Sequence, residues 1–439
     1  MKQSDFLDLF NTLGISRDEL LDLAIETGLI KRKRTILAGD LLFAICVNSI
    51  EGTVSYNNLA AQIETDTGNA VSRQAVWKKV TEQSKQFFQR VMELLLLNKI
   101  KANGLENIRM GSKYKRILVQ DSTIIKLPLR LFELFSGVSN GLSKACNARI
   151  QGTYDLIGEK FISFSIDAYS KNDLKAAPEL VLEEGDLALR DRGYLTANEI
   201  ERHLNIGADC IYRYKFKTIL LHPETLKPID IAFELQKNGY LDMIVALNNK
   251  ERTLVRLVTA PVSDDIANQR RMKAKKEKKS TPGKGYLKQL GWTLFLVTIP
   301  KEEAEFNLIF NIYSIRWRIE IIFKSWKSNM AFSKIHNVSN LQLHIILIAR
   351  FIMAVIFTQY LFKQCRWIVK KYLNKYLSLL KMTNYLVKHL EKIKKINTEL
   401  IKYKGSIGDT ICNLAIYCSY ETRKRMNDEQ KMDMMFSLS

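Results

Sequence analysis

The segment from Leu341 to Phe362, LQLHIILIARFIMAVIFTQYLF, carries one formal charge and must be sealed from water by a bilayer or a protein core. Arg350 divides it into uncharged runs too short to span a membrane. An arginine at the centre of a spanning helix also costs ~2.5–3.5 kcal/mol on insertion scales. The segment is therefore expected to be a buried core helix, with no membrane as partner. A helix apolar on every side needs a large fold around it. The chain can supply one, with 439 residues, 46% of them hydrophobic and 10% aromatic. As a prior, that length suggests about three domains.

Charge narrows the partners. Lys and Arg number 67 against 46 Asp and Glu, a formal net charge of +21. A chain this basic repels itself unless a polyanion is its partner, and nucleic acid is the first candidate. The six cysteines, at 46, 146, 210, 365, 412 and 418, form no C-x-x-C pair, and the five histidines complete no zinc pattern with them. Both facts fit a reduced, cytoplasmic protein. The start, MKQSDFLDLF, lacks the basic end and long apolar core of a signal peptide.

Residues 1–110 read as a helical, DNA-binding domain. Apolar residues recur at helical spacing at Leu20, Leu21, Leu23 and Ala24, and again from Val76 to Leu97. Ser72 is placed to cap one helix over RQAVWKKVTEQSKQFFQRVMELLLL, after a shorter helix at about Tyr56 to Thr65 and the polar turn DTGNA. Such a pair, bearing Arg73, Gln74, Lys78 and Lys79, suits a helix-turn-helix, although plain bundles contain the same pattern. Near residue 115 the texture changes. KRILVQDSTIIKLP, RIQGTYDLI and KFISFSIDAY read as strands, APELVLEE as a helix leading into LALRDRGY. Strands interleaved with helices argue an α/β core. The segment 217–304 reads as a β-rich insertion, interrupted by a basic run from Arg270 to Lys284. Residues 305–350 return to the core, and 351–439 form a helical region suited to dimerisation.

Two aspartates stand out. Asp121 follows the buried run Ile117, Leu118 and Val119, and Asp191 closes LALR. Carboxylates where strands of an α/β sheet emerge are well placed for chemistry, although aspartate also starts ordinary turns. The segment from Tyr313 to Lys327, YSIRWRIEIIFKSWK, adds a third acid. As one helix, it gathers Tyr313, Arg316, Glu320 and Lys327 within about 60° of one another. Ile315, Ile319, Ile322, Phe323 and Trp326 fall on the core side. By periodicity alone this is equally an amphipathic helix with an Arg–Glu pair on its wet face.

Y-x-x-R-x-x-x-E-x-x-x-x-x-x-K, met here by Tyr313, Arg316, Glu320 and Lys327, resembles the signature of bacterial insertion-sequence transposases of the insertion-sequence-four group. QDSTIIKLP resembles that group's first-aspartate motif and DRGY its second. GWTLFLVTIP resembles the strand that precedes the signature. The likeness covers residues 45–350. It implies a ribonuclease-H-like catalytic core with a β-rich insertion, flanked by helical N- and C-terminal domains. It further implies a DDE site in which Asp121, Asp191 and Glu320 hold two Mg²⁺ ions, with Mn²⁺ able to substitute. Tyr313, Arg316 and Lys327 would grip phosphates near the element end, with Arg213 as a further candidate. Trp292 would stack on a base extruded from the end, or simply pack within its strand. The partners would be double-stranded DNA, as element ends and target, and a second copy of the chain in the synaptic complex.

The chemistry suits the residue types. Phosphodiester attack develops charge on the entering and leaving oxygens, and two metal ions stabilise both. Mg²⁺ takes oxygen ligands and keeps waters, so a few carboxylates suffice. Paired carboxylates also serve glycosidases, but those have no need of such positive charge or of a Tyr, Arg and Lys beside the acid. The remaining alternative is a catalytically silent DNA-binding protein derived from a transposase.

Overall fold

The computed structural model describes the chain except for residues 33–34, 53, 98–112, 138–143, 171–178, 278–281, 422–425 and 438–439. Among the described residues, six helices occupy the N-terminal region: α1 (Gln3–Thr12), α2 (Arg17–Glu26), α3 (Ala38–Glu51), α4 (Tyr56–Thr67), α5 (Arg73–Trp77) and α6 (Glu82–Leu97). Ser72 caps α5 through the Ala75 amide at 3.1 Å. The single long helix expected after Ser72 is instead two. The Thr81 amide donates to the Ser84 hydroxyl at 2.9 Å, and the Ser84 amide donates back to the Thr81 hydroxyl at 3.4 Å. This local cap competes with continued helix and starts α6 afresh. Lys78 and Lys79 thus lie beyond the end of α5.

The centre of the chain builds one nine-stranded mixed sheet, ordered β3-β2-β1-β4-β5-β9-β8-β7-β6. Its first half comprises β1 (Arg116–Lys126), β2 (Asn147–Asp155), β3 (Lys160–Ala168), β4 (Asp186–Arg190) and β5 (Asp209–Arg213). β1, β4 and β5 are parallel, and β2 runs against β1 and β3. Every residue of β4 is buried, as a central parallel strand requires. A helix, α7 (Ala197–Ile206), links β4 to β5. The helix expected over 177–184 is not present in its described part, 179–184. There the Glu183 amide donates to Asp186 at 2.7 Å, and Arg202 takes the Leu180 carbonyl at 3.0 Å. These side-chain bonds hold the chain extended before β4.

The second half of the sheet comprises β6 (Leu220–Leu221), β7 (Asp242–Leu247), β8 (Leu254–Pro261) and β9 (Trp292–Val297). It is less strand-rich than the sequence suggests. Three helices interrupt it: α8 (Ile231–Asn238), α9 (Asp264–Glu277) and α10 (Lys284–Gln289). The buried residues of α9 are Ala267 and Ala274, so no apolar stripe betrays it. The basic run from Arg270 occupies the end of α9, crosses 278–281 outside the described residues, and resumes at the start of α10.

The 341–362 segment is a core helix, as its composition requires. α13 (Asn340–Val355) continues through a π-helical stretch, Ile356–Phe362, into α14 (Lys363–Leu373). The 34-residue unit is long and apolar enough to cross a membrane, and its apolar window is entirely buried within the fold. Arg350 is partly paired by backbone, donating from Nε to the Ser49 carbonyl at 2.8 Å and from Nη2 to the Lys334 carbonyl at 3.2 Å, while its buried Nη1 has no partner among the described residues. α3 and α6 pack directly on α13. The C-terminal helices are α15 (Leu379–Lys388), α16 (Lys392–Ile401), α17 (Asp409–Tyr417) and α18 (Asp428–Ser437).

Candidate active site

β1 does not end at Asp121, as its sequence context suggested, but runs on to Lys126 against β2. What ends there is the parallel ladder, whose last register pair is Gln120 with Arg190. Asp121 and Asp191 are the next residue on each of two neighbouring parallel strands, which lie ~4.8 Å apart. Asp191 continues in extended backbone before a short 3₁₀ turn, Arg192–Tyr194. Across the other edge of β1, Asp121 faces Gly152. A β-carbon at Gly152 would meet the Phe323 ring at 3.3 Å, so glycine lets the helix that carries Phe323 lie against this part of the sheet.

That helix is α12 (Trp317–Asn329), preceded by α11 (Phe306–Ser314). One continuous helix was expected from Tyr313. Instead the amides of Ile315 and Arg316 bond three residues back, to Ile312 and Tyr313, and this tight turn separates Tyr313 from Glu320. The apolar face is otherwise as read: Ile315, Ile319, Ile322, Phe323 and Trp326 are all buried. On the other face Arg316 donates to Asp121 at 2.7 Å and also to Glu320. One guanidinium thus joins the first carboxylate of the sheet to the carboxylate of the helix. Burial pushes the Asp121 carboxyl up to about 6 despite the opposing pull of Arg316.

Tyr313 is the next neighbour. Its hydroxyl donates to the Arg190 carbonyl at 3.4 Å, and its ring lies 5.6 Å from the Arg316 guanidinium and 4.4 Å from Phe295. Burial holds the phenol far above its ordinary range, with Arg316 opposing and the Asp191 charge reinforcing. The Arg213 charge also acts on this phenol, lowering its pKa slightly. Lys327 is exposed on α12, two turns beyond Glu320 on the same face. Trp292 opens β9, packs against the core cluster that includes residues of β7 and β8, and donates its indole N–H to the Gly239 carbonyl at 2.9 Å.

Among the described residues, no three Asp, Glu, His or Cys side chains stand close enough to enclose a metal ion as they are. The donors nevertheless fit a hard divalent cation in kind: carboxylate oxygens, with a cation, Arg316, already seated between two of them.

Two residues beside the aspartates were not singled out by sequence reasoning. Gln120 and Arg190, which precede the two aspartates, are 0% and 2% exposed. Arg190 bonds to Gln120, to Glu199 at 2.7 Å and to the Tyr212 hydroxyl at 3.1 Å, with its guanidinium 4.6 Å from the Tyr194 ring. An arginine inside a wholly buried strand is the one clue that was available.

The transposase DDE domain family model matches residues 113–356. The chain is 28% identical over 341 residues to the transposase for insertion sequence element IS231F of Bacillus thuringiensis subsp. israelensis, covering 72% of this chain and 71% of that one. It is 24% identical over 348 residues to the transposase for element IS1151 of Clostridium perfringens, covering 73% of each. A piggyBac transposase synaptic complex with hairpin DNA aligns with 97% of this chain and 88% of its own at 11% identity, TM-score 0.43.

Proposed function

This chain belongs to the transposase DDE-domain family, and from that premise we propose that it is an insertion-sequence transposase working by cut-and-paste at Asp121, Asp191 and Glu320. The observation that supports the reading is a pairing: Arg316 at the start of α12 bonds both Asp121 and Glu320, and Asp191 follows the register partner of the residue before Asp121 on the neighbouring parallel strand. The order β3-β2-β1-β4-β5, with β2 alone reversed, supports a ribonuclease-H-like core.

Asp121, Asp191 and Glu320 would hold two Mg²⁺ ions, with Mn²⁺ as substitute. When bound, these ions stabilise charge on the entering and leaving oxygens of phosphodiester attack. The chain's own residues do the rest. With water and then a freed 3′-hydroxyl as nucleophiles no covalent protein–DNA link is needed, so Tyr313 need not be a nucleophile and serves as a neutral donor. Arg316 and Lys327, with Arg213 nearby, offer charge-assisted bonds to phosphates at the element end. Cut-and-paste needs both ends in one assembly, which calls for a homodimer on double-stranded DNA, acting in the cytoplasm. The segments 1–110 and 351–439 would serve end binding and dimerisation.

The test is incubation with a cognate element end and Mg²⁺, with products resolved on a denaturing gel. Asp121→Ala, Asp191→Ala and Glu320→Ala should each abolish nicking while end binding persists. Full nicking by any one of them removes that residue from the site. Absence of nicking by the parent chain under Mg²⁺ or Mn²⁺ would favour the silent DNA-binding alternative.

A further inference from the structure

We propose that Gln120 and Arg190 are positioning residues: a buried bar beneath the sheet that sets the spacing of Asp121 and Asp191 above it. The inference rests on the assignment of those two aspartates as metal ligands.

Side chains alternate across a sheet, so residues 120 and 190 project to the face opposite 121 and 191. The parallel ladder between β1 and β4 ends at this register pair. No backbone register beyond it fixes the distance between the aspartates. Two carboxylates on adjacent strands repel each other, and that repulsion favours splaying. The last cross-strand tie before them is the hydrogen bond from Arg190 to the Gln120 amide oxygen.

Arg190 is itself held from several directions. β5 supplies the Tyr212 hydroxyl, α7 supplies Glu199, and the turn after Asp191 lays the Tyr194 ring against the guanidinium. From the opposite face, Tyr313 bonds the Arg190 carbonyl, the atom group directly before Asp191. Tyr194 in turn donates to Gln151 of β2 at 2.7 Å, so the network spans β2, β1, β4 and β5.

Stability does not explain the arrangement. A well-packed apolar cluster of similar volume commonly holds strands together as firmly as a buried ion pair. A directional polar network constrains geometry in a way an apolar cluster does not: both terminal nitrogens of Arg190 are engaged, although its buried Nε has no partner among the described residues, and a slip of either strand would break the bonds it makes. Hydrogen bonds made directly to metal ligands fix their geometry, and losing one typically costs 10–100-fold in metal affinity; Gln120 and Arg190 would act one step further out, through the backbone of the strands that carry the aspartates.

The experiment compares Gln120→Leu, which removes the acceptor at nearly constant volume, with Gln120→Glu, which keeps an acceptor for Arg190. Mn²⁺ binding to the full chain is measured by titration calorimetry. End binding in EDTA and thermal unfolding are measured alongside. Asp121→Ala serves as the ligand control, and Thr259→Val as a buried polar change far from the site. Gln120→Leu should lose roughly 10–100-fold in Mn²⁺ affinity while still binding ends. Its nicking should recover at high Mn²⁺. Gln120→Glu should retain parental affinity, and Thr259→Val should lower the melting temperature alone. Parental Mn²⁺ affinity in Gln120→Leu, with affinity lost in Asp121→Ala, overturns the bar and leaves the metal assignment standing. Parental affinity in Asp121→Ala overturns the assignment itself, and the bar with it.

Discussion

Arg316 was legible in the sequence as one member of a spaced set, but its partner across the fold was not. Spacing along a helix reveals the bond to Glu320, whereas the bond to Asp121 depends on how α12 meets β1. That docking turns on Gly152, which no local pattern marks, meeting Phe323, which periodicity marks only as core-facing. Replacing Arg316 by alanine should weaken capture of a pre-cleaved element end by ~1.5–3 kcal/mol, the usual worth of a charge-assisted hydrogen bond. The dissociation constant of such an end in EDTA reads this directly, and an unchanged value would confine Arg316 to bridging carboxylates. Beneath the sheet, His203 gives a pH signature. Burial above all, with help from the Arg190 and Arg202 charges, holds its imidazole down to about 4 against an ordinary 6.5. Between those values the unfolded chain binds a proton that the folded chain refuses. Stability is therefore full above pH 6.5 and drains as pH falls toward 4, by up to roughly 3 kcal/mol. His203→Leu should flatten the melting-temperature profile across that window, and a profile that stays parallel to the parent's would exonerate His203.

At the scale of elements, helical texture was readable where apolar stripes were strong and failed where a local bond intervened. Thr81 with Ser84 ends one expected helix, and the tight turn at Ile315 and Arg316 ends another. α9 escaped because alanines alone face its core side. The sequence was equally silent about what supports α12 from behind. Arg318, 1% exposed, bonds Asp428 at 2.8 Å and also Glu429, both on α18. Arg366 of α14 bonds Glu429 at 2.5 Å and Glu159 at 2.6 Å. The helix bearing Glu320 is thus fastened to α18 through buried charge. Arg318→Ala would leave Arg366 to face three buried acids, and breaking such a cluster costs ~3–5 kcal/mol. Chemical denaturation should register that loss, together with loss of nicking. A loss below 1 kcal/mol would show the cluster to be wet.

Over the whole molecule, the net charge of +21 should make DNA affinity steeply salt-dependent. With about eight phosphates contacted, it should fall ~10³–10⁵-fold between 50 and 200 mM salt. A flat response in a binding titration would assign the charge to another task. The packing of α3 and α6 on α13 has a consequence in time rather than space. Ser49 meets Arg350 across 301 positions, and a ribosome adding ~5–20 residues per second needs about 15–60 s to cover that distance. Through that interval α3, buried along nearly its whole length in the finished fold, has no α13 to cover it. α1, α2 and α4 cover part of α3 early, but the side that meets α13 must wait for a partner not yet synthesised. Such a chain is a natural client for a holding chaperone, and stalled chains ending before residue 340 should be captured by one while longer chains are released.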